Sequence, residues 1–90
     1  MSKFQAALFF EAARDTTIHA GIYTVPIKAR EIVQVAYVTL AETADDARKK
    51  AVCEIDNILV DGQGSWFISV YEQGKHGDYK QLTFESVEQS

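Results

Sequence analysis

The histidines and the cysteine are the residue types of this chain best suited to catalysis or metal binding, and their spacing indicates neither. His19 and His76 stand far apart, without the HxxxH or HExxH spacing that brings two ligands to one metal ion. Cys53 is the only cysteine, so a zinc site has too few thiolates and an internal disulfide has no second member. We therefore predict no catalytic residue, no metal ligand and no cofactor, and we expect a protein that is not an enzyme.

A nucleophilic role for Cys53 is the alternative that these residues leave open. Lys49 and Lys50 lie one helical turn earlier and would favour the reactive thiolate. The helix predicted below places Cys53 opposite its apolar stripe, where an exposed and unreactive thiol is the common arrangement. An enzyme built on His19, His76 and Cys53 would lose its activity in the triple alanine variant.

The glycine-rich segment does not have the arrangement of a phosphate-binding loop. Gly62-Gln63-Gly64 follows a predicted helix and precedes a predicted strand, whereas phosphate loops lead from a strand into a helix N-terminus. Asp45 and Asp46 are expected to stabilise the start of the helix, and no carboxylate pair is isolated within an apolar segment. Acid–base catalysis by carboxylates is therefore not predicted.

Acidic residues are concentrated in the C-terminal part of the chain. The net charge is −4, and residues 54–90 contain seven carboxylates against two lysines, which gives −5 for this segment. This balance argues against direct binding of nucleic acid through a broad basic surface. The candidate acidic patch consists of Glu54, Asp56, Asp61 and Glu72. It would either imitate nucleic acid towards a basic protein partner or keep the protein soluble.

Alternation of apolar and polar residues, together with runs rich in β-branched residues, predicts the strands that position these groups. The first two predicted strands form a hairpin through Arg14 and Asp15, and Pro26 ends or bulges the second strand. A further hairpin turns at residues 74–78. The predicted strands cover residues 3–13, 16–25, 30–41, 65–73 and 79–87.

One helix is predicted after the third strand. Thr43, followed three residues later by Asp46, resembles a capping box, and Gly62 or Gly64 is expected to end the helical region. A stripe of apolar residues at helical spacing would face the sheet: Ala44, Ala47, Ala51, Val52, Ile55, Ile58 and Leu59.

These elements predict a single α+β domain over residues 1–90. The expected architecture is a mainly antiparallel sheet of four to five strands with one helix packed on one face, in the order βββαββ. One helix covers one face, so the opposite face is left for solvent, a second copy or a partner. Five aromatic residues are assigned to that face as candidate partner-binding residues: Phe9, Tyr23, Tyr37, Phe67 and Tyr71.

Four interpretations of this aromatic face remain open. It could bind a protein partner, hold a homodimer together as a structural or regulatory subunit, or stack single-stranded nucleic acid. The last is weakly supported, because stacking platforms pair aromatic residues with lysine and arginine, and Phe67 and Tyr71 lie in the acidic segment. Alternatively, a strongly curled sheet would enclose the rings in a second small core.

The sequence predicts no membrane association. No apolar run reaches the roughly 18 to 20 residues that cross a bilayer, and the N-terminus lacks the apolar stretch of a secretory signal. The single unpaired cysteine fits a reducing compartment. We therefore expect the whole chain to be the mature protein and to act in the cytoplasm.

The size and element order resemble the small α+β accessory proteins of bacteriophages, including anti-CRISPR proteins. The resemblance covers most of the chain, with strands on either side of the helical segment Thr43–Ala51 and no catalytic signature. It carries no residue roles over to this chain. It implies a stoichiometric inhibitor that binds a host defence complex in the host cytoplasm, on a surface normally used by nucleic acid or another subunit.

Overall fold

The computed structural model describes residues 3–87, with only the backbone described for residues 38–40. Within this range, several strands form where apolar residues alternate with polar ones, and the single α-helix follows a capping threonine. The elements are β1 (Phe4–Ala12), β2 (Thr16–Ala20), β3 (Tyr23–Ile27), β4 (Ile32–Ala41), α1 (Ala44–Glu54), a 3-10 turn (Ile55–Asn57), β5 (Ile58–Val60), β6 (Gly64–Gln73) and β7 (Tyr79–Val87).

The strands form two antiparallel sheets. The larger sheet has the order β4-β1-β6-β7, and the smaller sheet has the order β3-β2-β5. The predicted α+β class with antiparallel pairing and one helix is confirmed. The predicted single sheet of four to five strands in the order βββαββ is wrong, because seven strands are divided between two sheets.

The predicted hairpin of the first two strands is also wrong. β1 pairs with β4 and β6 at the centre of the larger sheet, where its apolar side is buried. The predicted second strand divides into β2 and β3 at a turn in which Gly21 has a φ of +62°, a conformation that glycine adopts without strain. Pro26 lies within β3 opposite Thr17, and it is tolerated because β3 is an edge strand.

The helix starts as predicted and ends earlier. The Thr43 hydroxyl accepts a hydrogen bond from the Asp46 backbone N–H at 3.0 Å, which caps the first turn. The helix ends at Glu54, well before Gly62, because the following 3-10 turn leads into β5. Ile58 and Leu59, predicted to continue the helical stripe, instead pair with Ala20 and His19 in the smaller sheet.

The helix and the smaller sheet pack on the same face of the larger sheet. One apolar cluster joins Leu8 and Phe10 of β1 to Ala47 and Ala51 of the helix, and Ile18 of β2 belongs to the same cluster. The alanines allow a close approach of the helix to the strands. Consequently one face of the larger sheet is covered, and the other face has no layer packed on it among residues 3–87.

No helix in the described part of the chain is long and apolar enough to span a membrane.

Candidate functional site: the aromatic face of the larger sheet

The register of the larger sheet places six aromatic side chains on its uncovered face. Residues directly opposite each other in paired strands point to the same side of a sheet. Phe9 lies opposite Phe67, and further pairs continue this face along and across the strands: Ala7 with Tyr37, Gln5 with Tyr71, Ser69 with Phe84, and Gln73 with Tyr79. We call the side chains of Phe9, Tyr37, Phe67, Tyr71, Tyr79 and Phe84 the aromatic face.

The three phenylalanines form a continuous apolar surface. The rings of Phe67 and Phe84 stack with centroids 5.5 Å apart and planes inclined by 9°. Phe9 contacts Phe84 at a centroid distance of 5.9 Å in a tilted arrangement. Phe84 is nevertheless 52% exposed, so this group of rings is packed laterally but open to solvent above.

The three tyrosines are close enough to influence one another. Partial burial raises the pKa of Tyr37 above the usual 10.0, and the like charges that Tyr79 and Tyr71 acquire on ionisation raise it further. Tyr37 is still 50% exposed. The tyrosines therefore combine accessible ring surface with hydroxyl groups that donate and accept hydrogen bonds.

Small and amide side chains lie beneath the rings. Ala7, Gln5 and Ser69 are buried although no helix or sheet covers this face, so the neighbouring aromatic side chains must shield them. The Ser69 hydroxyl is fully buried and has no hydrogen-bond partner among the described residues. The rings therefore lie above a floor of Gln5, Ala7 and Ser69, which are not ionisable.

Four of the five predicted aromatic residues lie on this face. Phe9, Phe67 and Tyr71 are half-buried there, and Tyr37 is more exposed. Tyr23 does not belong to the group. It lies on β3 in the smaller sheet and is 69% exposed, because the division into two sheets removes its strand from the uncovered face.

Sequence reasoning missed Phe84 and Tyr79 as members of the face. Their positions differ by an odd number of residues, so simple alternation along β7 would put them on opposite sides. A β-bulge opposite Val70 and Tyr71 shifts the register of β7 and brings both rings to the same side. The predicted hairpin already indicated that β7 pairs with β6, and this pairing could have suggested that aromatic residues of β7 lie beside those of β6.

The acidic patch is divided between the two ends of the larger sheet. Glu54 ends the helix and Asp56 lies in the 3-10 turn that follows it. Asp61 follows β5. Glu72 lies opposite Phe4 near the C-terminal end of β6, at the same end of the sheet as the start of the helix. Glu72 is therefore remote from the other three carboxylates.

The residues considered for catalysis are not assembled into an enclosed site. His19 contacts Asp61 through Nε2 at 3.0 Å and the Thr24 hydroxyl through Nδ1 at 3.4 Å, on the exposed side of the smaller sheet. His76 lies in the exposed turn between β6 and β7, and Cys53 is exposed on the helix. In the described ranges, no three His, Cys, Asp or Glu side chains lie close enough together to hold a metal ion.

A groove of about 770 Å³ lies where the end of the helix and β5 meet β6. Phe10 and Trp66, in contact at 4.8 Å between ring centroids, line it together with Gly62-Gln63-Gly64. None of the residues that line it is titratable. The hydroxyls of Ser65 and Ser86 line the groove, but no histidine, lysine or carboxylate among its lining residues could activate them.

Comparison of the chain with protein-family models, curated proteins and solved structures finds no match.

Proposed function

We propose that this chain is a non-enzymatic binding protein that acts by protein–protein contact through its aromatic face. The main observation in support is that six aromatic side chains share one uncovered sheet face and that three of them are 42–52% exposed. Phenylalanine and tyrosine are enriched in protein interfaces because they bury large area at a small cost in conformational entropy. A monomeric soluble protein seldom leaves such a patch in contact with water.

The charge of the face favours a protein partner over single-stranded nucleic acid. Stacking platforms for nucleic acid surround their rings with lysine and arginine, which hold the phosphates. Among the described side chains of this face, Lys3 at one end is the only cation by strand alternation. The other polar groups near the rings are the carboxylate of Glu11, which would repel phosphates, and uncharged amides and hydroxyls such as those of Gln5 and Ser69.

The resemblance to small bacteriophage proteins extends this proposal to a class of target. On this interpretation the chain is a stoichiometric inhibitor that blocks a CRISPR-Cas complex in the cytoplasm of the host. The acidic patch offers a second route to the same inhibition, through imitation of nucleic acid. With Glu72 at the opposite end of the sheet, mimicry would depend mainly on Glu54, Asp56 and Asp61.

Alanine substitution on the aromatic face tests the proposed function. In a bacterium with an active CRISPR-Cas system, the wild-type chain is expected to restore plating of a targeted phage. Phe67→Ala and Tyr71→Ala should each weaken binding to the purified defence complex by about 2 kcal/mol or more, the scale of an interface hot spot. Leu59→Ala is the matched control, because Leu59 is 65% exposed on the smaller sheet.

Charge reversal separates the two surfaces. If mimicry carries the binding, replacing Glu54, Asp56 and Asp61 with lysine should abolish it, and the affinity of the wild-type chain should fall steeply with salt. Full inhibition by this variant, together with loss of inhibition by Phe67→Ala, would assign binding to the aromatic face. Unchanged inhibition by every aromatic variant would contradict the proposed function of that face.

A further inference from the structure

We infer that the occupant of the aromatic face is a second copy of this chain, which packs face to face to form a two-sheet sandwich. This inference rests on the proposed function, because it names the partner that covers the same surface. It is carried by three properties of the face: the distribution of its rings, the placement of its charges and its area.

The rings are distributed so that the face complements itself. Phe9 and Phe67 occupy one half, towards the end of β1, and Tyr71 and Tyr79 occupy the other half, with the buried Ala7 between them. Consider a two-fold axis that lies between two copies, parallel to their sheets and perpendicular to their strands, at the level of Ala7. This axis places the tyrosine half of each copy on the phenylalanine half of the other, so that Tyr71 lies over Phe67 twice.

Such an arrangement satisfies the chemistry of both halves. Phe67 gains a cover of aromatic surface from Tyr71 of the other copy, and Phe9 lies opposite Gln5 of that copy. The tyrosine hydroxyls remain near the rim, where water or the amides of Gln73 and Gln81 can meet them. Inner faces of packed sheets interdigitate in the same way in β-sandwiches, with the layers about 10 Å apart.

The charges at the two ends of the face have opposite signs. Lys3 precedes β1 and Glu11 lies near its end, and both belong to the alternation that includes Gln5, Ala7 and Phe9. The same two-fold axis places Lys3 of each copy opposite Glu11 of the other. Among the described side chains, the only other ionisable groups of the face are tyrosines. Two copies, each with a net charge of −4, can therefore meet on this face without like charges between them.

The area of the face is sufficient for a stable dimer. Four strands about 4.8 Å apart, each about nine residues long at roughly 3.3 Å per residue, give about 570 Å² per copy before side-chain relief is counted. Two such faces give about 1,140 Å² as flat area, and the relief of the projecting side chains raises this to the lower end of the range of about 1,200–2,000 Å² buried in specific protein interfaces. The face has no extended acidic surface that would bind a basic protein and no extended cationic surface that would bind nucleic acid.

Solution mass measures the proposed dimer directly. Light scattering and sedimentation equilibrium of the purified chain, from micromolar to hundreds of micromolar, are expected to show a monomer–dimer equilibrium. Phe84→Ser removes a 52% exposed ring from the face and should raise the dimer Kd about 30-fold, the scale of a hot spot. Leu59→Ser, at an apolar position of the smaller sheet that is 65% exposed, should leave the Kd unchanged.

A charge-swap cycle tests the orientation of the two copies and does not depend on removing a ring. Lys3→Glu and Glu11→Lys should each raise the dimer Kd about fivefold at low salt, because each places like charges opposite each other. The double variant Lys3→Glu with Glu11→Lys should restore the wild-type Kd. Absence of this restoration in variants that remain folded by circular dichroism would overturn the proposed two-fold arrangement.

The outcomes separate this inference from the proposed function. A chain that stays monomeric at every concentration overturns the second copy as occupant. The proposed function then stands if Phe67→Ala still weakens binding to the purified defence complex. A dimer that survives Phe84→Ser and both charge variants forms elsewhere on the molecule, which overturns the inference. If the aromatic variants also leave all protein binding unchanged, the proposed function fails as well.

Discussion

Tyr37 is the residue of the aromatic face with the clearest expected response to pH. Its pKa is raised in the folded protein, so the folded state holds the proton more firmly than the unfolded chain does. The stabilisation is complete below the unfolded value of 10.0 and is lost as the pH rises through the folded value.

Two measurements check this response. Ultraviolet titration of the wild-type chain is expected to show a late tyrosine ionisation, and this step should be missing in Tyr37→Phe. Urea unfolding should show a smaller loss of stability above pH 10.0 in Tyr37→Phe than in the wild-type chain. The same alkaline loss in both proteins would show that Tyr37 does not cause it.

Thr43 is expected to stabilise the helix through a single hydrogen bond. Its hydroxyl accepts from the Asp46 N–H, and without it that N–H depends on solvent. Thr43→Ala should lower the free energy of unfolding by about 1 kcal/mol. Thr43→Ser retains the capping oxygen and should change the stability much less. Equal losses in urea denaturation of both variants would contradict a capping role.

At the scale of elements, Gly64 determines how closely β6 approaches β1. A Cβ at this position would overlap the backbone oxygen of Glu11 and the ring of Phe10. Since backbone and a buried ring cannot move aside at low cost, Gly64→Ala should lower the free energy of unfolding by about 2 kcal/mol or more. Gly74→Ala is the control, because its new Cβ would lie 3.5 Å from the Asp78 backbone oxygen. Urea denaturation of the two variants measures the difference.

The elements also show how far local patterns predict this fold. The capping signal at Thr43 and the alternation in β1, β4, β6 and β7 predicted elements that form where expected. The three-residue strand β5 was not predicted, because Ile58 and Leu59 fit the helical stripe as well as they fit a strand. Pairing with β2 decides in favour of the strand, and this contact joins residues far apart in the chain.

At the scale of the whole molecule, a second copy on the aromatic face would link thermal stability to concentration. Association of folded chains stabilises the native state by mass action, so the wild-type Tm should rise with protein concentration. Phe84→Ser should move this dependence to about 30-fold higher concentrations, and Leu59→Ser should leave it unchanged. A Tm that is independent of concentration in the wild-type chain would contradict dimerisation in the range measured by differential scanning calorimetry.

The sequence by itself determined the local features: the helix start, most strands and the alternation that puts Phe67 and Tyr71 on one side of β6. Each depends on neighbouring residues, through capping bonds or the two-residue period of a strand. Only the tertiary structure decided the division into two sheets, the placement of Tyr23 away from the face and the addition of Phe84 and Tyr79. Strand pairing and bulge position depend on residues far apart in the chain. The same alternation is compatible with several partner strands, and the pairing that buries the apolar residues in one core is the stable one.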